Sequence, residues 1–153
     1  MILGNTQLKW RASELFPKQT VHIGPASVDL RLDNTYIVDG ITRMCESITF
    51  EPGKLYICST IEAVRMPLDL SGYVTGRSSV GRMGIQVHQT AGFVDPGFTG
   101  QITLEVLNVT QKPVTLRCWD RVCQIVFHRT EGAAAYDGRY QNQQGPVTTK
   151  FNE

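Results

Sequence analysis

The sequence lacks any long apolar run and any marked excess of charge of one sign. No stretch approaches the roughly 20 apolar residues that cross a bilayer, and residues 1–5 lack the basic and apolar parts of a signal peptide. We therefore expect a cytoplasmic protein without a membrane partner. The formal net charge is only +1, so no general field would recruit nucleic acid.

The sequence also lacks the signature of a zinc nucleobase deaminase. None of its three histidines has a glutamate two residues later, and its four cysteines form no Cys-x-x-Cys pair. We expect no zinc site, and reduced thiols, because a domain of this length does not need disulfides. A serine or cysteine nucleophile with a histidine partner stays open, since no such pair is singled out.

Helical periodicity is scarce, and short alternating runs between turn residues dominate. One helix is predicted over residues 5–16, with Asn5 or Thr6 as its N-cap. Apolar runs predict four strands, over residues 27–32, 101–108, 114–118 and 121–129. This pattern is typical of an all-β barrel or sandwich of the jelly-roll kind. The polar residues 136–153 follow as a tail.

Two arginines and two hydroxyls are concentrated in Gly76-Arg77-Ser78-Ser79-Val80-Gly81-Arg82. We call residues 76–82 the arginine–serine loop. Main-chain amides, serine hydroxyls and arginine forks suit a phosphate group, although no P-loop spacing is present. A polar turn with solvated arginines is the alternative, and these residues alone leave it open.

Two carboxylates, Asp95 and Glu105, could each line a binding pocket or have a purely structural role. Asp95 precedes a Pro-Gly turn, which it could simply cap. Glu105 lies in the middle of a predicted strand, where side chains alternate between two faces. Ile102, Leu104 and Val106 take one face, and Thr103, Glu105 and Leu107 take the other. Because a buried glutamate is costly, Glu105 either serves a pocket or faces solvent.

Together these blocks closely resemble the deoxycytidine triphosphate (dCTP) deaminase family, which shares its fold with the trimeric dUTPases. The resemblance runs from residue 25 to residue 145 and is strongest over residues 72–129. It implies a distorted β-barrel of the dUTPase-like type, a single domain over residues 1–153, and residues 136–153 as a lid. It also implies a homotrimer with three active sites between subunits.

The resemblance assigns expected roles position by position. The arginine–serine loop would bind a triphosphate carried with Mg²⁺, Asp95 the 3′-hydroxyl, Phe98 the sugar, and residues 103–105 the pyrimidine. The expected catalytic residues are Glu105, Ser78, Arg82 and Asp95. The expected nucleotide-binding residues are Arg77, Ser78, Ser79, Val80, Gly81, Arg82, Asp95, Phe98, Thr103, Leu104, Glu105, Gln124, Tyr136, Arg139 and Gln143.

The implied chemistry is deamination of dCTP without zinc. Glu105, with Arg82 nearby, would act first as base and then as acid. At Gly92 and Phe93 the sequence resembles the bifunctional members of the family. After deamination, these members also hydrolyse dUTP to dUMP and pyrophosphate. We expect Gly92 to leave room for a water aligned on the α-phosphate, oriented by Asp95.

Four other functions remain open at this stage. They are a deaminase that releases dUTP, a dUTPase alone, a relative acting on dCMP, and a nucleotide sensor without catalysis. Inhibition by dTTP is expected from the family resemblance alone.

Overall fold

The computed structural model describes residues 1–151, and most of its regular structure is strand. The elements in chain order are α1 (Asn5–Leu15), β1 (His22–Ile23), β2 (Val28–Arg31), β3 (Thr35–Val38), β4 (Ile41–Met44), β5 (Ser47–Phe50), β6 (Leu55–Arg65), β7 (Leu70–Gly76), α2 (Ser78–Arg82), β8 (Ile85–Gln86), β9 (Phe93–Val94), β10 (Thr99–Asn108), β11 (Val114–Arg117) and β12 (Arg121–Arg129). The all-β class with a short N-terminal helix is confirmed. Neither helix within these residues is long and apolar enough to cross a membrane.

The strands form two five-stranded sheets and one two-stranded ribbon. One sheet has the order β1-β2-β12-β7-β9, and the other has the order β4-β3-β6-β10-β8. The ribbon joins β11 to β5. The two sheets of the described chain stay separate instead of closing into a regular barrel, which is the distorted jelly-roll arrangement that the sequence predicts.

The apolar faces of the sheets enclose one core, and α1 packs against it. Leu8, Leu15 and Phe16 are fully buried, and the Phe16 ring meets the Phe127 ring edge to face at 6.2 Å between centroids. Burying each such side chain contributes roughly 1.5–3 kcal/mol. This packing holds a helix of 11 residues that is too short to be stable alone.

The start of α1 differs from the prediction of an Asn5 or Thr6 cap. Gly4 occupies the N-cap position, and no side chain caps the helix. Asn5 instead donates from Nδ2 to the carbonyl of Gly24, at 2.9 Å. The tertiary contact with the β1–β2 segment therefore replaces the local cap.

Strand β10 is the element that positions the site. It alternates between half-buried and buried residues along its length, so the predicted division of faces is confirmed. Leu104 and Val106 point into the core, while Thr103 and Glu105 share the opposite face. β6 pairs along one edge of β10, and β8 pairs with its C-terminal end. Because β8 reaches only residues 107 and 108, Glu105 has β6 as its single strand neighbour, and its carbonyl on the other side accepts from the Gln89 side chain.

Candidate active site

A pocket of about 440 Å³ opens on the polar face of β10. We call it the β10 pocket. Three segments supply most of its lining, which are β10 itself, residues 91–98 before it and residues 136–149 of the tail, and Ile57 of β6 completes it. The predicted site residues among its lining are Phe93, Asp95, Phe98, Thr103, Glu105, Tyr136 and Gln143. The fold thus brings residues from widely separated parts of the sequence to one place.

Two polar atoms of this lining are buried without a hydrogen-bond partner among the described residues. They are Thr103 Oγ1 and Glu105 Oε2. An unpaired buried polar group costs about 1–3 kcal/mol, and folded proteins usually pair such groups. The neighbouring Gln89 donates to the main-chain carbonyl of Glu105, at 3.1 Å, and leaves the carboxylate free. Thr103 therefore presents a hydroxyl, and Glu105 presents a carboxylate acceptor, to a polar ligand.

An aromatic pair forms one wall of the β10 pocket. Phe98 is 7% exposed, and its ring meets the Tyr136 ring at 5.8 Å between centroids and 68° between planes. The tail is held there because Tyr136 N donates to Pro96 O at 2.8 Å. Asp95 is exposed and also lines the pocket. The pocket therefore combines an apolar aromatic wall with two carboxylates, a lining that is typical of sites for small polar molecules.

The arginine–serine loop lies elsewhere on the same chain. Ser78, Ser79 and Arg82 are exposed on α2, and no residue of this loop lines the β10 pocket. The expected proximity of Arg82 to Glu105 concerns two neighbouring subunits, and it stays a prediction. Within one chain, the loop follows the first sheet and β10 belongs to the second.

A buried carboxylate holds the base of the arginine–serine loop. Asp29 is 8% exposed and accepts from Arg121 Nη1 at 3.0 Å, with Arg77 Nη1 at 3.6 Å. A buried charge requires such partners. Arg77 and Arg121 also line a second cavity, of about 370 Å³, beside the loop. Asp29 thus fixes two cations on this side of the molecule.

Besides the arginine–serine loop with Val80, three predicted nucleotide-binding residues do not line the β10 pocket: Leu104, Gln124 and Arg139. Leu104 is fully buried in the core and Val80 is 5% exposed, so each can offer a ligand only its main chain. Gln124 accepts from Ser27 Oγ at 2.9 Å. Arg139 donates to the main-chain carbonyls of Lys150 and Phe151, and so it braces the tail and does not face the pocket.

Gly92 does not leave open space, contrary to the expectation of room for a water. A Cβ at this position would lie 2.6 Å from Val74 O and 3.1 Å from His88 Cε1. The main chain approaches closely because Val74 N donates to Gly92 O at 2.7 Å. Glycine is therefore required here for packing of the β7–β9 edge against the His88 ring.

Sequence reasoning missed His88, Gln101 and Tyr140. Tyr140 lines the β10 pocket. His88 Nδ1 is buried without a partner among the described residues, and His88 follows β8, which pairs with the C-terminal end of the strand that carries Glu105. Recognising β8 in the sequence would have placed His88 near β10. A strand of two residues is too short to produce a recognisable alternating pattern.

The cysteines offer no activated nucleophile near the site. All four are free thiols, and none lines the β10 pocket. Burial raises the pKa of the Cys58 and Cys123 thiols far above the usual range, and burial beside Cys45 raises the pKa of Cys118 to about 11. The reactive thiolate form is therefore suppressed in these three side chains.

The arrangement of sheets is shared with solved structures of nucleotide enzymes. The chain superimposes on a 2′-deoxycytidine 5′-triphosphate deaminase from Agrobacterium tumefaciens with a TM-score of 0.73 and 23% identity, over 84% of this chain and 48% of that one. It thus spans about half the length of that relative. A dUTPase from Streptococcus mutans gives a TM-score of 0.55 and 24% identity, over 82% and 91% of the two chains. These likenesses establish a dUTPase-like fold.

Sequence comparison then narrows the class. The sequence model described as dCTP deaminase-like matches residues 39–130. A protein of Dictyoglomus thermophilum named "dCTP deaminase, dUMP-forming" is 40% identical over 157 aligned positions, which cover 85% of this chain and 81% of that protein. The chain belongs to the dCTP deaminase-like family.

Proposed function

We propose that this protein converts dCTP to dUMP, ammonia and pyrophosphate in two successive hydrolytic steps. The observation that carries the proposal is the unpartnered Glu105 carboxylate oxygen beside Thr103 Oγ1, inside a pocket walled by Phe98 and Tyr136. Family membership and the name of the Dictyoglomus relative support this substrate. We also propose that the protein acts in the cytoplasm and that dTTP inhibits it.

In the first step, water adds to C4 of cytosine and ammonia leaves. Glu105 takes a proton from the water and delivers it to N3, and a second transfer protonates the departing amine. One carboxylate thus performs the proton transfers without a zinc-bound hydroxide. Thr103 lies on the same face of β10 and orients the cytosine ring. The product of this step is dUTP.

In the second step, water attacks the α-phosphorus and pyrophosphate leaves. Asp95, at the edge of the β10 pocket, holds the 3′-hydroxyl and orients this water. Mg²⁺ arrives with the triphosphate as part of the substrate. Within residues 1–151, no three His, Cys, Asp or Glu side chains converge as a metal site requires. Held by the phosphates, the cation would neutralise charge on the leaving pyrophosphate.

A complete site requires two copies of the chain. The β10 pocket holds the base-reading residues, whereas Ser78, Ser79 and Arg82 are exposed and lie outside it. In the proposed homotrimer, the arginine–serine loop of one subunit binds the phosphates of a nucleotide held in the β10 pocket of the next. The whole chain acts as one domain, with residues 136–153 as the lid.

Product analysis of dCTP turnover tests the function. Purified protein with dCTP and Mg²⁺ should release ammonia, dUMP and pyrophosphate in equal amounts, and a chelator should stop release of pyrophosphate. Accumulation of dUTP without pyrophosphate would establish the alternative deaminase with a single activity. Consumption of dUTP or dCMP with dCTP untouched, or binding without turnover, would refute deamination of dCTP.

A further inference from the structure

The tail extends the second sheet by docking along the N-terminal part of β10. Gly100 and Gln143 form a parallel bridge, in which Gln101 N donates to Gln143 O at 3.1 Å. Gln143 Nε2 donates back to Gln101 O at 2.7 Å. One residue earlier, Asn142 N donates to Thr99 O at 2.8 Å. We call residues 141–145 the docking segment, because it joins the tail to the strand that carries Glu105.

The side chain of Gln101 connects this docking segment to a bulge in β6. Between Gln101 and Thr103, the β10–β6 register shifts, which leaves the carbonyls of Thr60 and Ile61 outside the ladder. Gln101 Nε2 donates to both, at 2.8 and 3.2 Å. Its Oε1 accepts from Gly145 N at 2.5 Å. One amide group therefore satisfies the bulge and the tail together.

The position of the docking segment determines what faces the β10 pocket. Tyr136 and Tyr140 precede it, Gln143 lies within it, and residues 147–149 follow it, and all of these line the pocket. Gln101 itself does not line the pocket. A change at Gln101 can therefore reach the ligand only through the tail or through the bulge.

We propose that Gln101 is a positioning residue that seats the tail over the nucleotide. The proposal rests on the proposed function, because the tail covers the pocket assigned to dCTP. Gln101 fixes the docking segment through Gly145 N, and the segment then presents Tyr140 and Gln143 to the ligand. Gln141 supports the same seat from the tail, since its Oε1 accepts from Thr99 N at 2.8 Å and its Nε2 donates to Gly97 O at 2.9 Å.

Limited digestion with trypsin measures the seating directly, without any substrate. Cleavage after Arg139 and Lys150 reports on the tail, and cleavage after Arg43 in the exposed strand β4 reports on general loosening. Gln101→Leu should accelerate tail cleavage about five- to tenfold, as loss of one or two hydrogen bonds implies. Cleavage after Arg43 should not change.

Two further variants separate seating of the tail from damage to β6. Gln141→Leu leaves the β6 bulge intact, and it should accelerate tail cleavage as well. Because both variants release the same segment, the double variant should fall well short of the product of the single effects. Gln144→Leu is the matched control, since Gln144 is exposed, and it should behave as the unmodified protein does.

Steady-state kinetics complete the test. Gln101→Leu should raise the KM for dCTP about fivefold or more and change kcat less, since binding is affected before chemistry. Unchanged tail cleavage in Gln101→Leu, or equal acceleration after Arg43, would overturn the positioning role. A KM that stays at the unmodified value would also overturn it. If the unmodified protein does not consume dCTP, the proposed function fails, while trypsin still reports whether Gln101 seats the tail.

Discussion

The β10 pocket is a largely enclosed binding site within one chain, whereas the arginine–serine loop is exposed on the surface of that chain. The β10 pocket is enclosed by a strand, an aromatic pair and the tail of the same chain, and it buries polar atoms that have no hydrogen-bond partner within residues 1–151. The arginine–serine loop exposes Ser78, Ser79 and Arg82. Exposed cations bind weakly because water and salt screen them. A nucleotide would thus gain specificity from the pocket, and its phosphates would gain affinity once the loop is covered by another copy.

The largest expected effect is at Glu105, inside the β10 pocket. Glu105→Gln keeps the shape of the side chain but removes the base, so ammonia release should fall by about 10²–10⁴-fold. Nucleotide binding, measured by calorimetry, should persist. Glu51→Gln is the matched control, because Glu51 is exposed and lies outside the β10 pocket. Ammonia release at the unmodified rate from Glu105→Gln would remove Glu105 from the mechanism.

The next effect is expected at Arg82, in the arginine–serine loop. Arg82→Ala removes a charged contact with the phosphates, which is worth about a ten- to hundredfold loss in kcat/KM. Arg82→Lys keeps the charge without the fork and should lose less. Kinetics for dCTP at low and high salt measure both variants. An equal loss in the two variants that salt does not change would contradict a contact that Arg82 makes through its charge.

The smallest effect on turnover is expected at Gly92, which lies between the two regions along the chain. Gly92→Ala places a Cβ against Val74 O and the His88 ring, so the free energy of unfolding should fall by about 1–3 kcal/mol. Displacement of His88 and of the segment leading to Asp95 should slow the second step more than the first, and dUTP should accumulate.

Urea unfolding measures the free energy of unfolding of Gly92→Ala, and product analysis separately measures its ratio of dUTP to dUMP. Gly4→Ser is the control, because its added Cβ would make only ordinary contacts, with Gln7 Oε1 at 3.4 Å and Pro25 O at 3.9 Å, and serine suits the N-cap position that Gly4 occupies. An unchanged ratio of dUTP to dUMP in Gly92→Ala would disconnect Gly92 from the second activity.

Local sequence patterns predicted the parts of the site that lie on one strand. Alternation along residues 101–108 placed Thr103 and Glu105 on the face opposite the core, as β10 confirms. The same pattern shows why Leu104 points inward. The boundaries of β12 also agree with the predicted residues 121–129, because its apolar run is bounded by charged residues on both sides.

Long-range contacts were beyond the reach of those patterns. The docking of Gln143 on Gln101 depends on a hydrogen bond between residues 42 positions apart in the sequence, and the approach of Val74 to Gly92 depends on how β7 meets β9. Neither contact produces a periodic sequence pattern. The position of the arginine–serine loop outside the β10 pocket of its own chain depends on sheet topology, which motif spacing does not specify.

Mixing two impaired variants tests the divided site most directly. Glu105→Gln subunits carry an intact arginine–serine loop, and Arg82→Ala subunits carry an intact β10 pocket. Refolded together at equal concentration, they should regain about a quarter of the unmodified ammonia release, since a random trimer pairs an intact loop with an intact pocket at that frequency. Mixed oligomers with no more activity than the separate variants would contradict the account, because each chain would then hold a complete site.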